Sequence, residues 1–160
     1  MKFTLKEYQT EAVADVLDNM KKARVFWQDH DMKTAFSLAA TTGSGKTVMA
    51  AAVFEALLFG NDELEFEPDS GAVVIWFSDD PSLNTQSKWR LQEASDKLTI
   101  SDLVTVENTF NRETLEAGKI YFLNTQKLSR SSLLTRGHDP DDDSLETVDG
   151  QKIMPDLRAF

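Results

Sequence analysis

The stretch from Thr41 to Thr47 constrains this chain more than any other part of it. Its sequence is Thr-Thr-Gly-Ser-Gly-Lys-Thr, and apolar segments precede it (Ala35–Ala39) and follow it (Val48–Leu58). Gly43 and Gly45 let the backbone curl tightly enough for several N–H groups to point into one cavity. A helix that begins after the loop directs the positive end of its dipole at the same place. The sequence therefore predicts a loop that binds phosphate, placed between a strand and a helix.

Two side chains of this loop complete the prediction. Lys46 carries a positive charge that can reach the β- and γ-phosphates, and the Thr47 hydroxyl is placed to ligate Mg²⁺. Ala40 stands where the strict pattern G-x-x-x-x-G-K-[ST] has its first glycine, but the tighter string T-G-x-G-K-T is present. An ordinary glycine-rich turn with an exposed lysine is the alternative interpretation. The predicted nucleotide contacts are Thr42, Gly43, Ser44, Gly45, Lys46, Thr47 and Val48, with Lys46 and Thr47 as catalytic residues and Thr47 as the metal ligand.

Composition excludes several classes of protein. A chain of 160 residues with 41% hydrophobic residues can bury a core and fits one globular domain. It has no cysteine, which excludes disulfides and thiolate metal sites and suits a cytoplasmic protein. It has no apolar run of membrane-spanning length and no apolar segment near Met1 typical of a signal peptide. His30 and His138 lie far apart in polar sequence, so we expect both at the surface.

The net charge of −10 is concentrated in two segments. Residues 61–69 carry five acids and no base, and residues 138–149 carry six acids and no base. The rest of the chain has 16 acids and 17 Lys or Arg residues. We expect both acidic segments to be solvated loops. The remaining charge neither requires nor forbids a polyanionic partner.

Hydrophobic patterns predict alternating helices and strands. Continuous apolar runs rather than polar alternation favour a parallel α/β sheet, with the phosphate loop at the carboxyl end of its first strand. Asp80 is expected to cap a helix that starts at Pro81. The predicted strands are 36–39, 72–77, 103–106 and 119–123, and the predicted helices run from Glu7 to about Trp27, from the loop to about Phe59, and from Pro81 to about Leu98. The predicted core positions are Val13, Val16, Leu17, Met20, Ala23 and Trp27 in the first helix and Leu83, Trp89, Leu91, Ala94 and Leu98 in the last.

Four segments resemble those of superfamily-two helicases, most closely the DEAD/DEAH type found in type III restriction subunits. Leu5–Gln9 resembles their adenine-contacting segment, and Thr41–Thr47 resembles motif I. Val73–Gln86 is similar to motif Ia, and Ile120–Leu128 resembles a strand and loop that contact nucleic acid. The resemblance implies a RecA-like first motor domain that binds ATP and Mg²⁺ and acts on nucleic acid, with DNA as the expected partner. A methyltransferase or specificity subunit is a further implied partner if the parent belongs to a restriction system, and no membrane partner is expected.

The resemblance also implies roles for individual residues. Gln9 would face the adenine edge, although a polar residue near a helix start is an equal alternative. Tyr8 or Phe3 would either stack on the base or pack in the core. The implied nucleic-acid contacts are Ser78, Gln86, Asn124, Thr125, Gln126 and Lys127. Against this, Asp79 and Asp80 place negative charge nearby, so helix capping and a solvated turn remain open as alternatives.

One expected motif of this family is absent from the sequence. Its motif II is an apolar strand that ends in Asp-Glu, whereas Asp62-Glu63, the only such pair, follows Gly60-Asn61. The expected fold is therefore an α/β P-loop NTPase (RecA-like) with a parallel sheet flanked by helices, truncated before the motif II strand. We expect residues 1–160 to form part of a first motor domain, with an adenine-motif helix in 1–30, a P-loop core in 35–130 and an acidic loop in 137–150.

Three functions remain open from the sequence. The first is the ATP-binding part of an ATP-dependent DNA helicase or translocase of the restriction type, not competent for hydrolysis alone. The second is a nucleotide-binding or interaction module that does not hydrolyse nucleotide. The third is a small P-loop kinase, which the acidic late region disfavours because a kinase lid needs arginines to screen the transferring phosphoryl group.

Overall fold

The computed structural model describes residues 1–107, 110 and 114–125. Contacts divide the chain into two compact units. The first, which we call the loop unit, comprises Met1–Ala72 and Trp89–Thr99; the second, the sheet unit, comprises Val73–Lys88 and residues from Ile100 onward. The elements are α1 (Glu7–His30), α2 (Lys46–Phe59), β1 (Val74–Ser78), α3 (Pro81–Ala94), β2 (Leu103–Thr105) and β3 (Ile120–Asn124), with a 3-10 turn at Ile100–Asp102. In this described part, none of the helices combines the length and the apolar character needed to cross a bilayer.

Helix α1 is amphipathic, as predicted, and extends to His30. Its buried residues all lie in the first three turns, where Val13 and Leu17 are each 1% exposed. The prediction of Trp27 as a core residue is wrong, because its side chain is 53% exposed. The apolar stripe of α1 thus continues beyond the turns that pack. Sequence periodicity marks the stripe but does not show how far its packing partner reaches.

Helix α2 has the predicted bounds. It has no polar face after its first turn, and eight of its 14 residues are buried. A helix that is apolar on most sides needs cover on most sides, and α2 packs against α1. Gly60 ends it with φ of 77°, and its N–H donates to the Ala56 carbonyl oxygen at 2.9 Å.

The acidic segment 61–69 is a loop, but it is not simply solvated. The main chains of Asn61 and Phe66 form two hydrogen bonds of 2.8 and 2.9 Å, which close a turn and leave Phe66 only 4% exposed. Lys21 donates to the Glu65 carbonyl oxygen at 2.8 Å, and Arg24 pairs with Asp69 at 2.6 Å. Because both cations lie on α1, the Glu65 carbonyl oxygen and the Asp69 carboxylate help to hold the loop against that helix. Asp62-Glu63 lies inside this turn, not at a strand end.

A buried carboxylate anchors the far part of α2. Glu55 is 6% exposed and accepts hydrogen bonds from the Ser95 hydroxyl and, at 3.0 Å, from the Asp96 N–H. The Met1 ammonium lies 2.9 Å from Glu55 and 2.6 Å from Asp96. Burial alone would lower the pKa of this ammonium, but its hydrogen bonds to Asp96 and Glu55 outweigh that cost and raise the pKa.

Helix α3 begins as predicted and ends earlier. Asp80 caps it by accepting the Ser82 N–H at 2.8 Å, and this hydrogen bond lowers the pKa of Asp80. The helix stops at Ala94 because the Ser95 hydroxyl accepts the N–H of Leu98 at 2.8 Å, replacing a helical partner. Among the predicted core positions of α3, Leu91, Ala94 and Leu98 are buried, whereas Leu83 (48% exposed) and Trp89 (60% exposed) are not.

The sheet unit contains a parallel sheet in the order β1-β3-β2. Val74 and Leu103 both align with Ile120, and the ladder of β1 continues to Ser78 opposite Asn124. All five residues of β3 are buried, as a central strand requires. In contrast, β1 exposes Ile75 (41%) and Phe77 (51%), although a continuous apolar run is typical of a strand covered on both faces. The α/β class and the parallel sheet are confirmed.

The strand predicted at 36–39 is not formed in the described structure. Residues 32–41 contain neither helix nor strand, and Phe36 and Leu38 are 46% and 42% exposed. A strand needs a neighbour that supplies its hydrogen bonds, and in the described part the three strands pair only with one another. The apolar run identified a segment with strand composition but could not identify its partner.

Candidate functional site

The loop between Thr41 and Lys46 has the backbone conformation that its glycines predict. Gly43 and Gly45 have φ of 83° and 84°, in the left-handed region that side chains disfavour. Between them, the Ser44 N–H donates to the Thr41 carbonyl oxygen at 3.2 Å. A Cβ on Gly43 would meet no atom within 4 Å, so this position requires glycine for its backbone angle alone. The loop therefore doubles back just before α2 begins.

The amino end of α2 presents unused N–H groups. The first N–H of the helical ladder is that of Met49, which donates to the Gly45 carbonyl oxygen at 3.0 Å. The N–H groups of Lys46, Thr47 and Val48 precede it, and Gly45 as N-cap has no side chain to accept them. The first turn also has no acidic residue. Three donors and the positive end of the helix dipole thus face the loop without a competing carboxylate.

Lys46 lies exposed at the start of α2 and folds over the loop. Its Nζ donates to the carbonyl oxygens of Ala40 at 2.9 Å and Thr41 at 3.0 Å. Both acceptors are neutral, and a phosphate oxygen is the stronger partner for an ammonium. Lys46 can therefore exchange these contacts for an anion without leaving a charged group unpaired.

Thr47 follows with a half-buried side chain. In the described part of the chain, no group of three His, Cys, Asp or Glu side chains could hold a metal ion. A Mg²⁺ ion at Thr47 would take one ligand from this hydroxyl and its others from phosphate and water, which is how Mg²⁺ is bound in phosphate sites. The donor set therefore fits a metal that arrives with a polyphosphate.

A cavity of about 460 Å³ adjoins the loop. This volume lies within the range of small-molecule sites. The Ser44 Oγ is buried and has no hydrogen-bond partner, which is unusual for a buried hydroxyl. The cavity is lined by Tyr8, Ala12, residues 38–44 and Met49.

Tyr8 and Gln9 contact the loop directly, although 35 or more residues separate them from it in sequence. The Tyr8 hydroxyl and the Gln9 Nε2 both donate to the Ser44 carbonyl oxygen, at 3.0 and 2.9 Å. The Gln9 Oε1 accepts the Lys6 N–H at 3.0 Å. The sequence left stacking on the base and core packing open for Tyr8 and Phe3; both are nearly half exposed, so neither packs in the core, and stacking stays a prediction. The role of the Tyr8 hydroxyl was missed, because only the folded structure brings residue 8 to residue 44.

The predicted nucleic-acid residues that the structure describes lie in the sheet unit. Ser78 Oγ is 2.8 Å from both the Asp80 carbonyl oxygen and Asn84 Oδ1. Asn124 is buried and donates to the Asp79 carbonyl oxygen at 3.1 Å, and Thr125 donates to the Asp79 carboxylate at 3.2 Å. Gln86 is exposed on α3. The structure thus gathers Ser78, Asn124 and Thr125 around the start of α3, while Gln126 and Lys127 lie outside the described residues.

A glycine-rich loop, an uncapped helix start and a lysine over the loop, together with a parallel sheet, define the class of this protein as P-loop α/β. The model for the family described as "Type III restriction enzyme, res subunit" matches residues 2–153. The chain belongs to this family, whose domain is of the helicase type. Neither the curated proteins nor the solved structures provide a significant match.

Proposed function

We propose that this chain is the ATP-binding part of an ATP-dependent DNA helicase or translocase of the restriction type. The observation that carries the proposal is the uncapped start of α2. Three main-chain N–H groups there face the glycine-containing loop, and the Lys46 side chain folds over that loop. The family match over residues 2–153 supports the same function. The single domain proposed for residues 1–160, and a cytoplasmic location suited to a cysteine-free chain, belong to this proposal.

The proposed nucleotide contacts use the loop from Thr42 to Val48. Main-chain N–H groups hold the phosphate oxygens, and Lys46 leaves the Ala40 and Thr41 carbonyl oxygens to pair with the β- and γ-phosphates. The Thr47 hydroxyl would be the protein ligand of Mg²⁺, which would supply positive charge to neutralise the phosphates when bound. The unpartnered Ser44 Oγ is a further hydroxyl of the loop that fits an oxygen-rich ligand.

A titration with a fluorescent ATP analogue and Mg²⁺ tests the site. We expect Lys46→Ala to weaken binding by about 100-fold, the effect of losing a charge-assisted contact of about 3 kcal/mol. Lys33→Ala is the matched control, since Lys33 is an exposed lysine outside the loop. Equal affinity of the wild type and Lys46→Ala would remove the proposed phosphate site.

A second candidate function is a nucleotide-binding module that does not hydrolyse ATP. The placement of Asp62-Glu63 inside a turn favours it for this chain, because that pair does not follow a strand. Steady-state ATPase assays with and without single- and double-stranded DNA separate the two functions. We expect no turnover by this chain alone, and turnover stimulated by DNA would refute that expectation. Phosphate transfer to a small acceptor would instead support a kinase.

A further inference from the structure

The first two residues are bound to the end of α3 within the loop unit. The Lys2 N–H donates to the Ala94 carbonyl oxygen at 2.8 Å. The Lys2 Nζ donates to the Gln92 carbonyl oxygen at 3.1 Å, across 90 positions of sequence. Because these contacts fix the position of residue 2, they also determine where the α-amine of Met1 lies.

The Met1 ammonium lies between two carboxylates. It is 2.9 Å from Glu55 Oε2 and 2.6 Å from Asp96 Oδ1. The Asp96 side chain is 52% exposed, and ion pairs in contact with water contribute little to stability. Glu55 is only 6% exposed, so its charge-assisted hydrogen bond with the ammonium is less screened by water. The contact between Met1 and Glu55 is therefore the more stabilising of the two.

Each oxygen of the Glu55 carboxylate has its own partners. Oε1 accepts the Ser95 hydroxyl and, at 3.0 Å, the Asp96 N–H. Among the described residues, Oε2 accepts a hydrogen bond only from the Met1 ammonium. Removing one partner of a buried ion pair is strongly destabilising, because the charge that stays behind is not compensated. The Glu55 carboxylate therefore depends on a positively charged amine at residue 1.

We propose that Glu55 and Asp96 form a site that binds the free α-ammonium of Met1, and that a group attached to this amine weakens the loop unit. A formyl or acetyl group turns the ammonium into a neutral amide with a single N–H, and the peptide bond of a preceding residue does the same. Loss of Met1 also empties the site, because the Lys2 nitrogen is held at the Ala94 carbonyl oxygen. This inference concerns modification of the amino terminus and does not rest on nucleotide binding.

Thermal unfolding at pH 7 of three forms of the chain tests the proposal. The first form carries a free amine at Met1. The second is acetylated at that amine by co-expression with an N-terminal acetyltransferase, with the modification confirmed by mass spectrometry. The third has a Gly-Ser-Gly extension before Met1. We expect acetylation and extension each to lower Tm by about 4 °C relative to the free form.

Glu55→Gln separates the proposed site from a general effect of the modification. The amide keeps the length of the side chain but has no charge that needs an ammonium, so acetylation should lower the Tm of this variant by less than about 1 °C. Glu93→Gln is the matched control, since Glu93 is an exposed acid on α3, and it should keep the full wild-type shift. If Glu55→Gln fails to fold, as judged by circular dichroism, Asp96→Asn replaces it. Acetylation should then lower Tm by less than in the wild type.

The outcomes decide the proposal in either direction. It is overturned if the free and acetylated wild-type chains unfold within about 1 °C of each other. It is equally overturned if acetylation lowers the Tm of Glu55→Gln, or of Asp96→Asn where that variant replaces it, as much as that of the wild type. A shift that is present in the wild type and in Glu93→Gln, and absent or reduced in the variant that lacks a carboxylate of the site, supports it.

Discussion

Two regions of this molecule carry similar polar residues and use them differently. At the proposed phosphate loop, the N–H groups that open α2 and the Ser44 hydroxyl have no partner among the described residues. At the carboxyl ends of β1 and β3, Ser78, Asn124 and Thr125 all have partners in Asp79, Asp80 or Asn84. The first region holds its backbone rigidly while leaving donors free. The second uses its donors to join a strand to the start of α3.

This difference separates a binding site from a scaffold by hydrogen-bond capacity instead of residue type. A buried hydroxyl without a partner is unusual, and the N–H groups at a helix start can bind an anion, so the loop has hydrogen-bond capacity that the second region lacks. Internally paired groups stabilise the fold and have less capacity to bind anything else. Substitutions should therefore affect ligand affinity in the first region and stability in the second.

The largest expected effect follows from Gly45→Ala. The new methyl group would lie 2.5 Å from Gln9 Nε2, on a residue with φ of 84°. Left-handed backbone costs a non-glycine residue about 1–2 kcal/mol, and displacing Gln9 costs a hydrogen bond more, so ATP affinity should fall by about 100-fold. Titration with Mg²⁺-ATP measures this.

Gly71→Ala is the control for Gly45→Ala. Its Cβ would approach Asp69 Oδ1 no closer than 3.4 Å, an ordinary contact, and its backbone is not left-handed. We expect no change in ATP affinity. If Gly45→Ala bound ATP as tightly as Gly71→Ala, ATP binding would not depend on the described conformation of the loop. The proposed contrast between this loop and the ends of β1 and β3 would then fail.

The second prediction concerns Asn124→Ala. Asn124 is 4% exposed and donates to the Asp79 carbonyl oxygen, so its loss should destabilise the fold by about 2–3 kcal/mol. Urea denaturation measures this change. Thr125→Ala, which removes one exposed hydrogen bond, should change the free energy of unfolding by less than about 0.5 kcal/mol. ATP affinity below the unfolding transition should stay the same in both variants; an unaltered stability for Asn124→Ala would contradict its role as scaffold.

The comparison also shows which parts of the structure the sequence could predict. The glycine conformation of the loop before α2 and the Asp80 cap were predicted because each depends on a few adjacent residues. The strand predicted at 36–39 does not form in the described part of the chain, and one face of β1 is exposed, because strand pairing and cover depend on distant residues. Leu83 and Trp89 show the same limit, since helical spacing identifies a stripe but not which turns a neighbour covers.

The candidate site was also only partly predictable from the sequence. Its residue types were visible in the string from Thr42 to Thr47, but the contacts that hold it were not. Gln9 meets Ser44 across 35 positions, and no local spacing encodes that contact. The acidic segment 61–69 is a parallel case: its charge suggested solvation, while Phe66 and two α1 cations tie it to the fold. Non-local contacts, rather than motifs, are what sequence patterns leave out.

A pH prediction tests how much the ion pairs of the Met1 ammonium with Glu55 and Asp96 stabilise the loop unit. Hydrogen bonds to Asp96 and Glu55 raise the pKa of the Met1 ammonium above its ordinary value of 8.0. A raised pKa in the folded state means that the ammonium stabilises the protein fully below pH 8 and that this stabilisation is lost as pH rises through the folded pKa. The loss should be under about 1 kcal/mol, as for partly solvated ion pairs.

Thermal unfolding at pH 7 and at pH 10 measures this loss. Glu55→Gln removes one of the two carboxylates that face Met1, so its stability should fall less between these pH values than that of the wild type. Lys22→Ala, which removes an exposed ion pair with Asp18, controls for general charge effects. A Glu55→Gln variant with the full wild-type pH dependence would show that the ammonium does not act through Glu55.

The smallest expected effect concerns nucleic-acid binding, and it compares two residues of the sheet unit, Ser78 and Gln86. Ser78 has one hydroxyl proton and two internal acceptors at 2.8 Å, so it has no donor left for a phosphate. Gln86 is exposed on α3, with an amide that can reach a nucleic-acid backbone.

In fluorescence anisotropy with single-stranded DNA, Ser78→Ala should change the affinity by less than about twofold, whereas Gln86→Ala should weaken it by about threefold, the value of one neutral hydrogen bond. Thr85→Ala is the control on the same helix, because Thr85 is exposed and its hydroxyl bonds within the helix at 3.4 Å. A larger loss for Ser78→Ala than for Gln86→Ala would mean that internally paired residues still bind ligand, and hydrogen-bond capacity would no longer distinguish the two regions.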